Sequence, residues 1–204
     1  MKMRSILALL LLLGSGAARA SEADVTKLME SYWRAYARSD FVAAAAYLDP
    51  RDTGALKQGL LPLFLRAAES KNVNVVPLVK AFFTGIPDDQ RDKMNDAQVF
   101  AGMNYMMRDV MPQVYAQLER TSIRVTKVAL PGDGTATVEY AIRVQGEDVT
   151  ESDQANLHEG RWYLRTRDTP SVTIDRFRML LGLEYEVGPE VKLSPKDEPG
   201  GGPP

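Results

Sequence analysis

Cysteine is absent from the 204 residues, and histidine occurs once, at His158. The first absence excludes a disulfide framework, a thiolate zinc site and a cysteine nucleophile. The second excludes a two-histidine metal site within one chain, including any HExxH motif. There is no glycine-rich phosphate loop, no serine elbow and no paired-carboxylate signature. Positive charge is also short. The chain carries 25 basic and 27 acidic residues. Removing Lys2, Arg4 and Arg19 with an amino-terminal signal leaves 22 basic against 27 acidic, a formal charge of −5. That argues against nucleic-acid binding, which rests on an excess of Lys and Arg.

The one long hydrophobic run is at the amino terminus. Lys2 and Arg4 precede the apolar stretch 6–13, and Ala18-Arg19-Ala20 follows. This is the order of a cleavable secretory signal. Eight apolar residues of helix rise about 12 Å, against a hydrocarbon core of about 30 Å, so the stretch is too short for an anchor. A lipoprotein would need a cysteine at the cleavage site. The reading is a 1–20 signal, a single 21–183 domain exported to the periplasm, and an extended or disordered 184–204 tail ending in PKDEPGGGPP.

Two halves of different period follow. Val25, Leu28, Met29, Tyr32 and Tyr36 lie on one helical face. Ser39-Asp40 caps a second helix over 41–48 that stops at Asp49-Pro50. Thr53 is a candidate cap for a third helix, which Pro62 should kink or break. A short apolar helix over 76–83 ends at Gly85. Asn95 or Asp96 opens what reads as the longest helix, carrying Val99, Met103, Met106, Val110 and Val114, with a bend at Pro112. From Ser122 the period becomes two. Ile123, Val125 and Val128 alternate imperfectly, and Pro131-Gly132-Asp133-Gly134 is a turn. Positions 136–144 alternate cleanly. The acidic 147–153 reads as a loop or weak edge, with Ala155 and Leu157 beginning another strand. Glu159-Gly160 turns into a strand with Trp162 and Leu164 inward. Positions 172–181 read as a short helix or a final strand. The expected fold is α+β, with amino-terminal helices packed on a curved antiparallel sheet of about four strands.

Two segments carry a resemblance. One is Tyr32-Trp33-Arg34-Ala35-Tyr36-Ala37-Arg38-Ser39-Asp40-Phe41 with Ala44-Ala45-Ala46-Tyr47-Leu48-Asp49-Pro50. The other is Leu157-His158-Glu159-Gly160-Arg161-Trp162-Tyr163-Leu164. They resemble the aromatic first helix, aspartate-led second helix and glycine-turn-tryptophan hairpin of the nuclear transport factor 2-like superfamily. The resemblance implies a cone-shaped fold with a pocket between helices and sheet, and dimerisation through the sheet is common where that fold is used. The helical 53–118 departs from it, because the family places a strand soon after its second helix. By layout alone the chain is also similar to the periplasmic phospholipid carrier of the outer-membrane lipid-asymmetry pathway.

The candidate site residues follow from these patterns. Tyr32 matches the phenol that isomerases of the superfamily use as an oxyanion donor, but the carboxylate base they place on the next strand is missing. The plainer reading of Tyr32 is a core aromatic. His158, beside Glu159, is a candidate general base of the kind that dehydratases of the superfamily use, yet its register points it outward. Met103, Met106, Met107 and Met111 share one helix face. Thioethers are soft Cu(I) ligands, but such a stripe reads first as core or pocket wall. Tyr32, Trp33, Tyr140, Trp162, Met103 and Met107 are therefore the expected pocket lining. Arg161, Arg165 and Arg167 alternate on one strand face with Tyr163 between them; Arg161, Tyr163 and Arg165 are the candidate partner-binding residues, and Glu139, Glu151 or Asp153 would neutralise the row if it is only a solvated face. The acidic residues at 147–153 lack the EF-hand pattern. No catalytic set, metal or cofactor is expected. The functional expectation is an exported non-enzymatic binder of an apolar small molecule or of a protein partner, of immunity or inhibitor type. The alternatives are a lipid carrier and an isomerase- or dehydratase-like enzyme using Tyr32 and His158.

Overall fold

The computed structural model describes residues 21–70, 72–144 and 146–183; the signal and tail readings fall outside them. Helix α1 spans Glu22–Ala37, α2 Phe41–Ala45, α3 Pro50–Ala68 and α4 Val76–Phe82. A 3-10 turn over Asp88–Lys93 leads into α5, Asp96–Val110, and α6, Pro112–Leu118. Strands β1 (Ile123–Ala129), β2 (Thr135–Val144), β3 (Glu147–His158) and β4 (Arg161–Leu164) precede α7, Pro170–Leu180. The fold is α+β, with the strands in the order β1-β2-β3-β4, each pair antiparallel.

The caps explain most helix starts. Ser21 and Asp24 form a capping box on α1, as Asn95 and Gln98 do on α5. Asp40 caps α2 through the Ala43 amide. Asp49, and not Thr53, caps α3, with Pro50 in its first turn. Pro62 does not break α3, which at 19 residues is longer than α5. It sits on the exposed side, where the carbonyl freed by its missing N–H meets water, while Leu60, Leu61 and Phe64 are buried around it. Pro112 does more than bend α5. Met111 before it leaves the helical region (φ −128, ψ 58), and Pro112 starts α6. The apolar stripe therefore does not continue, and Val110 and Val114 are exposed.

In β1 the imperfect alternation has a physical cause. Val125 pairs with Tyr140 and Lys127 with Glu139, so Thr126 is an extra, bulged residue that returns Val128 to the inner face. Residues 147–153 are not a loop: β3 runs unbroken and pairs with β2 throughout. Only its second half, from Ala155, also pairs with β4, so the acidic half is a sheet edge. Leu157 shares the inner face, opposite Trp162, but lies at its margin and is exposed. Residues 170–180 form a helix, ending the ambiguity between helix and strand there.

One hydrophobic cluster joins the halves, from Val25 and Met29 through Phe41, Phe64 and Phe82 to Val138, Ala155 and Leu164. The chain between α2 and α3 docks on the end of β4. The Asp49 amide donates to the Leu164 carbonyl, and the Leu164 amide to the Tyr47 carbonyl, both at 2.8 Å. Asp52 then accepts Arg165 at 2.6 and 3.0 Å and the Thr166 amide at 3.0 Å.

Candidate functional site

The main cavity, about 570 Å³, lies between α1, α5, α7 and the inner face of the sheet. Drug-sized ligands occupy pockets of roughly 300–1,000 Å³. Its wall is mostly apolar and aromatic. Tyr32, Trp33 and Tyr36 come from one turn of α1. Phe100, Met103 and Met107 come from one face of α5, and Tyr140, Ile142 and Leu164 from the sheet. The α1 rings pack on each other and on the sheet: Tyr32 lies 5.6 Å from Tyr36, and Trp33 lies 6.4 Å from Tyr140, centroid to centroid. Phe177 and Leu180 of α7 close another side.

Two polar features interrupt this wall. Asn104 is buried one turn below Phe100, and its amide donates to the Phe100 carbonyl at 2.8 Å. Its carbonyl accepts the Tyr36 hydroxyl at 2.7 Å and the Tyr115 hydroxyl at 3.3 Å. On the sheet, the Tyr140 hydroxyl donates to Asp153 at 2.7 Å. Burial pushes the Tyr32, Tyr36 and Tyr140 phenols well above the usual tyrosine range. The charge of Asp153 adds to the effect at Tyr32, and the hydrogen bond to Asp153 adds to it at Tyr140.

The rim is charged and internally paired. Arg165, Arg167 and Arg176 line it. Arg165 pairs with Asp52, Arg167 with Glu151 and Arg176 with Asp168.

Five of the six expected lining residues are in the wall: Tyr32, Trp33, Tyr140, Met103 and Met107. Trp162 is not. It is buried in the core under α1, and its indole N–H has no partner. The methionines diverge: Met106 is in the core, Met103 and Met107 reach the cavity, and Met111 is exposed at the helix break. Among the described residues no group of three histidine or carboxylate side chains is placed to hold a metal ion. No helix there is long and apolar enough to cross a membrane.

The expected arginine row is divided. Arg161 lies over the Tyr163 ring at 5.1 Å and donates to the Ala46 carbonyl. Arg165 leaves the row to bind Asp52, because β4 ends at Leu164. Glu139, offered as a neutraliser, pairs with Lys127 instead, whereas Glu151 does meet Arg167.

Tyr32 and His158 do not share a site. His158 pairs with Arg161 on the opposite face of the sheet, where its side chain is 43% exposed beside Glu159. No family model matches this chain, and no curated protein or solved structure matches it either.

Asn104 and the α7 side of the cavity escaped the sequence reading, and Asp153 entered it only as a neutraliser of the arginine row. Asn104 had a signal, a polar residue at i+4 from Phe100 within an apolar stripe. Asp153 had one as well, the period-two parity it shares with Ala155 and Leu157, which places it opposite Val138 on the inner face.

Proposed function

We propose that this protein binds an apolar small molecule in the cavity between α1, α5, α7 and the sheet, and that it does so in the periplasm as an exported, non-enzymatic binder. The observation that carries the reading is the aromatic and thioether wall. Trp33, Tyr140, Met103 and Met107 supply contact area with few fixed polar demands. The Thr166 hydroxyl beside Asp52 shares that carboxylate with Arg165 and the Thr166 amide, and the carboxylate-phenol pair of Asp153 and Tyr140 is already joined by a hydrogen bond. A pocket between helices and sheet also agrees with the nuclear transport factor 2-like resemblance. A protein-partner role draws less support, because Arg165 is tied to Asp52 and Arg161 to Ala46.

Mass spectrometry of an organic extract of the purified protein tests the reading. The expected result is a lipid-like species at up to one per chain, together with quenching of Trp33 fluorescence when an apolar probe is added. A clean extract with no probe binding overturns it. Amino-terminal sequencing of the protein from a periplasmic fraction should begin at Ser21. Recovery only from the cytoplasm with Met1 intact would overturn the export component.

A further inference from the structure

The charges at the rim indicate what head the cavity ligand carries, and this step rests on the binding reading above. Three guanidinium groups stand at or near the opening, which at first suggests an anion site. Each already holds a carboxylate: Arg165 holds Asp52, Arg167 holds Glu151 and Arg176 holds Asp168. With Asp153, four carboxylates face three cations. A carboxylate or phosphate entering here would add a fifth negative charge against three guanidinium groups whose charge is already matched, with Asp153 beside it.

The remaining polar groups of the wall are also engaged. The Asn104 side-chain carbonyl accepts from Tyr36 and Tyr115, and one of its two amide N–H groups donates to the Phe100 carbonyl. Tyr140 donates to Asp153, and the Trp33 indole donates to the Thr121 carbonyl at 3.3 Å. The Thr166 amide and hydroxyl donate to Asp52. Among the described residues the Tyr32 and Thr173 hydroxyls have no hydrogen-bond partner. Thr173 stands on α7 beside exposed neighbours, where water serves it. Tyr32 stands among the rings of α1. It lines the cavity together with Asp153 and Arg167. Tyr32 is half-buried, and a phenol is protonated at neutral pH, so its hydroxyl is a donor that a ligand in the cavity can reach.

We infer that the ligand is an uncharged amphiphile, a hydrocarbon body bearing a hydroxyl or ester oxygen that accepts a hydrogen bond from Tyr32. Lipids headed by a carboxylate or a phosphate should bind more weakly than an uncharged amphiphile of the same length.

The test is displacement of bound N-phenyl-1-naphthylamine by decanol and by decanoate at about pH 8, where a carboxylic acid of ordinary pKa near 4 is fully ionised. The expected result is that decanol displaces the probe at a concentration about ten-fold lower than decanoate. In Tyr32→Phe, decanol should weaken about five-fold, the size of one neutral hydrogen bond, once its displacement is corrected for that variant's own probe affinity. If that variant does not fold, 1-fluorodecane supplies the same comparison from the ligand side. It has a similar shape with a poor acceptor, and should bind the wild type about five-fold more weakly than decanol. Decanoate binding as tightly as decanol overturns the inference and leaves the cavity reading standing. Decanol binding that ignores both Tyr32→Phe and the fluorine substitution also overturns it. Failure of the probe and both competitors to bind overturns the cavity reading itself.

Discussion

Asp52 accepts four hydrogen bonds, two from Arg165 and two from Thr166, with a side chain only 7% exposed. Asp49, one turn earlier, has a side chain with no exposure and accepts Arg51 and Asn156. Replacing Asp52 by alanine leaves Arg165 unpaired. Because Arg165 is 40% exposed and partly served by water, the expected loss is moderate, about 1–3 kcal/mol in urea unfolding. The hydrogen bonds from Arg51 hold the Asp49 carboxyl well below the usual carboxylate range, with the Asn156 bond adding to them. A depressed folded value means that its contribution is present above the unfolded pKa, near 4, and is lost as pH falls through the folded value. Asp49→Asn should therefore flatten the acid limb of a stability-versus-pH curve. An unchanged limb would show that other carboxylates govern it. The buried phenols work in the opposite direction. Tyr32, Tyr36, Tyr115 and Tyr140 are all raised, chiefly by burial. Their contribution is present below about pH 10 and is lost as pH rises from there. Alkaline titration of phenolate absorbance should show two phases among the eight tyrosines, the second coinciding with unfolding. A single phase near the ordinary tyrosine value would contradict their burial.

At the scale of elements, two helical glycines predict opposite outcomes. Gly102 of α5 lies against α4, and a Cβ there would stand 2.4 Å from the Phe82 carbonyl oxygen. Backbone cannot give way as a side chain can, so Gly102→Ala should separate α4 from α5 and destabilise by about 1–3 kcal/mol. At Gly54 of α3 the nearest atom is an Asp96 oxygen at 3.6 Å, an ordinary contact. Gly54→Ala should stabilise by about 0.5–1 kcal/mol through helix propensity. Thermal melts of the two variants decide both. The elements were legible in the sequence where one local rule governs. Asp40 and Asn95 are helix caps whose side chains meet the amides they are spaced for. The residues around Pro62, Thr126 and 147–153 were less legible, because tertiary context governs them. Buried neighbours carry α3 past Pro62, a bulge absorbs Thr126, and β2 gives the acidic half of β3 a backbone partner that its side chains do not advertise. The same limit applied to the cavity. The aromatic face of α1 and the methionines of α5 announced their part of the wall, but an inward strand position alone could not separate Tyr140, which lines the cavity, from Trp162, which is sealed in the core.

Across the whole molecule, the cavity is closed partly by α7, which packs on α3 through Ile174 against Gly59 and Phe177 near Phe64. A bound ligand touching α1, α5, α7 and the sheet at once should raise the melting temperature with concentration, since it binds only the folded chain. A melting temperature independent of a saturating apolar probe would oppose a shared site. The docking of 47–52 on 164–166 has a kinetic consequence. The contacts from Asp49 to Asn156 and from Asp52 to Arg165 close loops of 107 and 113 residues, whereas the helices and the consecutive hairpins close within themselves. Long closures form late, after local structure has reduced the chain to be searched. Asp52→Ala should accordingly leave the refolding limb of a chevron plot nearly unmoved and steepen escape from the native state, with its loss of stability appearing in the unfolding rate. Equal slowing of refolding would place this junction in the folding nucleus instead. On that account the Asp52 latch sets how long each folded chain lasts, while the speed of reaching the fold is left to its helices and hairpins.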